Sequence, residues 1–356
     1  MKKIFVLIQS YILILTLVFT PVLALSSCVM RTSMSVSVAD SVIGEGDVTV
    51  SADEGDITGS ADEGDITGSA VNDGKISDQN KKINKALKIT ALGDSITRGY
   101  GLQNPGQESY PFIVAEQLKK YYRDVNVSNY AVNGMTSAGL IELLNSKNTK
   151  ELRDAEVIFL CIGANNILRH GMELLNIGDM NIMELFILYK DYLLGNNQDQ
   201  SVPKTLDDYF KKVISHIESS EYKQKIEESA RELREDIPVI IDLIRRVNRD
   251  AKIYYCNIYS PYNRLNLSLP YVDTMLPLGD ISDEYVEILN KEIENSGAKS
   301  EYNIIDINKA FSESGQNNVN AGINEFKLDY DPHPNINGHN LIADEIMKKL
   351  VEDMDL

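Results

Sequence analysis

Leu87-Lys88-Ile89-Thr90-Ala91-Leu92-Gly93-Asp94-Ser95 is an apolar, partly β-branched run that stops on a glycine and is followed at once by an acid and a serine. Residues 87–92 read as a short buried strand, and Gly93 permits an abrupt exit from it. A serine on such an exit presents its hydroxyl at the carboxyl end of a sheet, where open α/β proteins bind their ligands. Further strand-like runs lie at 125–132, 156–162, 252–259 and 302–307. Helical patterns lie near 111–122, 136–147, 282–295 and 336–352. This alternation predicts an α/β fold: a three-layer α/β/α sandwich around a mainly parallel five-stranded sheet.

A serine hydroxyl needs a base to take its proton, and donors to hold the oxyanion that forms on a carbonyl. The base candidate is His333, in Asp331-Pro332-His333-Pro334-Asn335, just before the last helical pattern. The donor candidates are Gly134, in Asn133-Gly134-Met135-Thr136, and Asn165, in Gly163-Ala164-Asn165-Asn166. Both follow strand-like runs, so these groups can converge with Ser95 on one sheet edge. Taken singly, Ser95 also reads as a helix cap and Gly134 or Gly163 as turn glycines.

In order and context, Ser95, Gly134, Asn165 and His333 resemble the signature blocks of the SGNH (GDSL) hydrolase superfamily. Gly93-Asp94-Ser95-Ile96-Thr97 resembles the first block and Asn133-Gly134-Met135-Thr136 the second. Gly163-Ala164-Asn165-Asn166 resembles the third, with Asn166 where an Asp is usual, and His333-Pro334-Asn335 the fifth. The resemblance spans roughly 87–353 and is nearest the bacterial lipase/acylhydrolase branch. It implies Ser95 as nucleophile and His333 as base. It also implies an oxyanion hole built from the Ser95 and Gly134 backbone N–H groups and the Asn165 side-chain amide. The expected activity is carboxylic ester hydrolysis, on a lipid acyl ester such as a lysophospholipid or on an O-acetylated glycan. The alternatives are a catalytically weak binding lipoprotein of this fold and an acyltransferase to a glycan.

The family usually places its acid three residues before the histidine, where this chain has Tyr330. Asp331 lies two before and Asp329 four before. Pro332 and Pro334 bias the preceding residues toward extended backbone. There, positions i and i+2 share a side, which selects Asp331. A helical turn would select Asp329, and with neither acid the imidazole would be oriented by a carbonyl or water. Among the remaining histidines, His339 belongs to the start of the final helix, and His170 and His216 have no evident partner. Asp94 is expected to hold its turn by bonds to backbone. No Gly-x-Ser-x-Gly elbow and no zinc-binding spacing of His or Cys occurs, so neither a metal nor a cofactor is expected.

Lys2 and Lys3 precede an apolar stretch, Ile4 to Leu25, that ends in Leu25-Ser26-Ser27-Cys28. This pattern describes a secretory signal over 1–27, and its exit resembles a bacterial lipobox with Cys28 as the lipidated residue. An uncleaved anchor is the other reading. Either way the expected location is the outer face of the bacterial cytoplasmic membrane. Residues 28–85 form an acidic, largely polar stretch in which Ser51-Ala52-Asp53-Glu54-Gly55-Asp56-Ile57-Thr58-Gly59 recurs as 60–68, so a disordered tether is expected. The hydrolase body is then 86–356, with a Met- and Leu-rich helical insertion over about 167–222 that could act as a lid. A second helical pattern, 226–247, is broken near Pro238. The net charge of −18 excludes nucleic acid as a natural partner.

Overall fold

The computed structural model describes residues 82–146, 150–177, 180–263, 266–320, 322–324, 327–329 and 331–356. The expected signal, Cys28 and most of the tether lie outside these residues.

Five strands form the central sheet: β1 (Ile83–Gly93), β2 (Tyr122–Asn129), β3 (Val157–Cys161), β4 (Lys252–Cys256) and β5 (Asn303–Ile305). Their order is β2-β1-β3-β4-β5, and every neighbouring pair is parallel. β1 begins at Ile83, slightly ahead of the boundary expected at residue 86. In β3 all five residues are buried. That is why such strands read as continuous apolar runs rather than as alternation: both faces of a parallel sheet are covered.

Two cores cover the faces. On one, Leu87, Ile89 and Ala91 of β1 pack with Tyr110, Val114 and Leu118 of α2 and Ile342, Ile346 and Leu350 of α9. Here α1 is the single turn Ser95–Arg98, α2 spans Tyr110–Leu118, and α9 is the final helix Ile336–Met354. On the other face, Leu92, Ile158, Leu160 and Tyr255 meet α3 (Ser137–Asn145), α7 (Ser220–Val247) and α8 (Leu278–Glu294). Between them in sequence lie α4 (Ala164–Gly171), α5 (Ile182–Leu193) and α6 (Val202–Glu218). Phe186 of α5 and Tyr209 and Phe210 of α6 extend this second core.

One sequence expectation is corrected here. The helical pattern near Pro238 is not broken: α7 is a single helix of 28 residues with Pro238 inside it. A proline in a helix interior costs about 3 kcal/mol. Leu233, Ile237, Ile240, Ile241 and Ile244 of α7 are all buried. Burying a continuous apolar stripe of that length outweighs the lost hydrogen bond.

Candidate active site

Strand β1 lies where the strand order reverses, with β2 on one side and β3 on the other, and its carboxyl end carries Asp94 and Ser95. Crevices at such points are where open α/β sheets bind ligands. Gly93 is required by space: a Cβ there would sit 2.5 Å from the Cys161 carbonyl oxygen on β3. Asp94 caps α1, its Oδ1 accepting from the Ile96 N–H at 3.0 Å. Ser95 is therefore the first residue of the helix, not its cap. It is nearly buried.

The base arrives from the other end of the chain. Ser95 Oγ lies 2.8 Å from His333 Nε2, and His333 Nδ1 is hydrogen-bonded to Asp331 Oδ1. The same Oδ1 accepts from the His333 backbone N–H at 3.1 Å, and Asn320 Nδ2 donates to Asp331 Oδ2 at 3.0 Å. Asp331, two residues before His333, thus stands beside it in a turn closed by its own side chain. Burial raises its carboxyl, but the hydrogen bonds and charge of His333 outweigh that and hold it below the ordinary range. The loop is pinned from both sides: Tyr259 OH donates to the Pro332 carbonyl at 2.6 Å, and the Asn320 N–H to the His333 carbonyl at 2.8 Å. Asn320 and Tyr259 were not found from sequence, because nothing local marks their contacts with residues 11 and 73 positions away.

On the opposite side of Ser95, Asn165 joins two turns. Its Nδ2 donates to Asp94 Oδ2 at 3.1 Å and to the Met135 carbonyl at 3.0 Å. Met135 follows Gly134, which takes φ 75°, a left-handed conformation that glycine adopts without strain. Ser95, Asn165 and Gly134 are thereby brought to one edge through Asp94 and Met135. Asn166, where the resemblance led us to expect an Asp, is buried and clamps α3: its Nδ2 donates to Ser137 Oγ at 2.7 Å and its Oδ1 accepts from the Ser137 N–H at 3.0 Å. Asp94 is fully enclosed, and burial pushes its carboxyl up to about 6 against the lowering effects of the Ile96 N–H and His333.

These residues open into a cleft of about 230 Å³ whose other walls are largely apolar: Ile167 and Leu168 of α4, Ile258 and Tyr259 after β4, and Ile281 and Leu289 of α8. Among the described residues, the insertion expected to supply a lid contributes its first residues, Ile167 and Leu168, to this lining.

The other histidines depart from expectation or refine it. His170 does have partners, whereas His216 has Glu173 nearby but no hydrogen bond through its Nε2. His170 Nδ1 lies 3.3 Å from Glu173 Oε1 and its Nε2 lies 2.9 Å from Ser229 Oγ, while His216 Nε2 lies 4.0 Å from Glu173 Oε2. His339 sits at the start of α9 as expected, but fully buried, with Nδ1 accepting from the Tyr110 N–H at 3.3 Å. Among the described residues no group of His, Cys, Asp or Glu has the arrangement of a metal site.

The family model described as "GDSL-like Lipase/Acylhydrolase family" matches residues 91–341. The chain is 24% identical over 286 residues to the uncharacterized protein YpmR of Bacillus subtilis (strain 168), covering 79% of this chain and 88% of that protein. Among solved structures it is similar to an extracellular lipase from Streptomyces rimosus, at 15% identity over 74% of this chain and 99% of that one, with a TM-score of 0.46. Phospholipase A1 from Streptomyces albidoflavus NA297 is similar at 15% identity over 74% and 100% of the two chains, also at a TM-score of 0.46. Likeness at this distance carries no argument about substrate.

Proposed function

Since this chain belongs to the GDSL-like lipase/acylhydrolase family and is a GDSL-type ester hydrolase, we propose that it cleaves carboxylic esters through an acyl-enzyme on Ser95. The observation that carries this reading is the unbroken relay from Ser95 Oγ through His333 to Asp331 at the mouth of an apolar cleft.

His333 Nε2 takes the Ser95 proton as Oγ attacks the ester carbonyl. Asp331 keeps the other proton on Nδ1, which fixes the tautomer and stabilises the imidazolium that forms. The carbonyl oxygen becomes an oxyanion, received by the Ser95 and Gly134 N–H groups and by Asn165. Both Asn165 amide hydrogens are engaged in the free protein, one by a carboxylate and one by a neutral carbonyl. The charged oxyanion outcompetes the Met135 carbonyl, because charge-assisted hydrogen bonds are the stronger ones. As the tetrahedral intermediate collapses, His333 returns its proton to the leaving alcohol. Water then repeats the sequence on the acyl-enzyme and releases the acid.

A fluorophosphonate probe, which reports an activated serine, together with an ester-hydrolysis assay of Ser95→Ala, tests the assignment. We expect labelling at Ser95 and loss of several orders of magnitude in turnover, with a residue of about 10³-fold over water from the remaining machinery. Wild-type turnover in folded Ser95→Ala protein would overturn it. The reading as a catalytically weak binding protein rested on Asn166 and Tyr330. Against it stand the Asn166 clamp on Ser137 and the contact between Asp331 and His333.

The same proposal places the enzyme outside the cytoplasm, tethered at Cys28. Its support is the sequence of residues 2–28 alone: two lysines, an apolar stretch and small residues before the cysteine. Intact-mass analysis of membrane extracts should find a mature chain that begins at lipidated Cys28. A cytoplasmic protein that retains Met1 would refute this part.

A further inference from the structure

We infer that the cleft beside Ser95 holds the acyl chain of the substrate, and that the inward face of α8 makes this an enzyme for medium-length, apolar acyl esters rather than acetyl esters. The inference rests on Ser95 being the nucleophile.

Helix α8 divides two environments. Leu278, Ile281, Tyr285 and Leu289 recur at helical spacing and line the cleft, whereas Asp283, Glu287, Lys291 and Glu294 line a polar groove on the far side. The segment after β4 sorts its residues in the same way: Ile258, Tyr259 and Pro261 face the cleft, and Asn257 and Ser260 the groove. Together they form one partition that is apolar toward Ser95 and polar away from it.

Recognition of a sugar needs hydrogen-bonding groups aimed at its hydroxyls. In the cleft the Tyr259 hydroxyl is spent on the Pro332 carbonyl, and the Ser282 hydroxyl is shared with Ser260 at 3.0 Å. Asp94, Ser95, Asn165 and His333 belong to the reacting centre, and of the two further hydroxyl-bearing members, Tyr262 and Tyr285, the Tyr285 oxygen is buried away from solvent. Apart from these tyrosines the wall is aliphatic, which suits methylene groups. An apolar cavity of about 150 Å³ takes the six carbons of benzene, so a cleft of about 230 Å³ has room for a chain of roughly eight carbons.

The acyl group rather than the alcohol is assigned here on two grounds. The lining starts at Asn165 and continues along the same helix through Ile167 and Leu168, so it is continuous with the site of the carbonyl oxygen. In addition, the acyl group stays on Ser95 through both chemical steps, whereas the alcohol must depart so that water can take its place beside His333. A lasting apolar pocket serves the group that stays.

The experiment is a kcat/KM series with 4-nitrophenyl esters from acetyl to palmitoyl, per active site counted by fluorophosphonate. A parallel comparison sets ethyl octanoate against octyl acetate, and both are repeated with Ile281→Trp and Leu278→Trp. Burial of each methylene is worth roughly a fourfold gain. The octanoyl ester should therefore exceed the acetyl ester by at least about 100-fold, and ethyl octanoate should exceed octyl acetate. The two half-buried side chains are replaced without opening the core, and either tryptophan should cut the octanoyl-to-acetyl ratio at least about tenfold. Ser95 labelling with a flat or acetyl-favouring series overturns the inference and leaves the nucleophile standing. A preference that follows the alcohol, or ratios untouched by both tryptophans in folded protein, also overturns it. No hydrolysis at any length with Ser95 unlabelled overturns the underlying reading, and this inference with it.

Discussion

Asp94 serves two neighbours with one carboxylate: Oδ1 caps α1 beneath Ser95, and Oδ2 holds the amide of Asn165. Only the ionised form accepts both bonds freely, and its carboxyl titrates near pH 6 because it is buried. Asp94→Asn sets an amide nitrogen against another, so Asn165 loses its orientation. We expect kcat to fall by about 10–10², less than the roughly 10²–10³ that outright loss of an oxyanion donor costs, with little change in KM and with loss of the activity limb near pH 6. In an Asn165→Ala background the same change should have almost no further effect, because Asp94 then has no amide to position. Full additivity of the two changes would refute this account. The folded carboxyl lies above its ordinary value of 3.8, so folding favours the protonated form. The cost is fully present above pH 6 and is relieved as pH falls toward 4. The Tm of Asp94→Asn relative to the parent should therefore be more favourable at pH 7.5 than at pH 4.5.

The acid partner belongs to the same scale and shows how far local reading reaches. Pro332 and Pro334 made the loop legible as extended, and extended geometry alone separated Asp331 from Asp329. Asp331→Asn should lower kcat by ~10²–10⁴ through a misoriented imidazole, and Asp329→Asn by less than about twofold. Equal losses in the two variants would refute the separation. Asn320 was illegible, because its service to Asp331 requires the close approach of Gly101. That residue takes φ 87°, and a Cβ there would lie 2.8 Å from Asn320 Nδ2.

At the scale of elements, α9 and α2 meet through His339. Its Nδ1 accepts the Tyr110 N–H of α2, so the ring must be neutral there, and burial lowers its titration to about 3. This sign is opposite to that of Asp94. The unfolded chain takes up a proton near pH 6.5 that the folded chain refuses, so the stability due to the neutral ring is complete above 6.5 and is lost as pH falls toward 3. Each unit of difference is about 1.4 kcal/mol, which makes His339 the stronger of the two buried groups in acid. His339→Gln should weaken the fold at pH 7.5 yet flatten the decline of Tm between pH 6.5 and 4.5. An unchanged slope would exclude His339 as its source. The helical pattern at 336–352 marked the start of α9, and Asn335 caps it, its side chain accepting from the Asn337 and Gly338 N–H groups. That pattern did not mark the burial of the histidine, since Asn337-Gly338-His339 carries no apolar periodicity. The unbroken α7 was missed for the converse reason: Pro238 is a strong local signal, and tertiary burial overrode it.

The whole molecule decides which serine reacts. Strands and crossovers alternating along the chain were enough to foresee a parallel sheet. The order β2-β1-β3-β4-β5 then puts the end of β1 at the switch point. Yet among the described residues a serine, an imidazole and a carboxylate also come together at a second place. Ser229 Oγ lies 2.9 Å from His170 Nε2, and His170 Nδ1 lies 3.3 Å from Glu173, a chain of contacts similar in form to Ser95–His333–Asp331. The second set lies on the flanks of α4 and α7, not at a strand end. Ser229 is fully buried. Arg169 occupies the position a substrate would need, its Nη2 donating to Ser229 Oγ at 3.0 Å and its Nε to His170 Nε2 at 3.3 Å. With the base already accepting from Arg169 and no path for an ester, this set ties helices together and does no chemistry. A fluorophosphonate should therefore modify Ser95 alone, read by peptide mapping of the labelled protein. Ser229→Ala should keep kcat within about twofold while lowering stability by about 0.5–1.5 kcal/mol, the net worth of an ordinary hydrogen bond, since Arg169 is exposed and His170 half-buried. Label on Ser229, or label that persists in Ser95→Ala, would show that residue constellation and not placement on the sheet governs reactivity here.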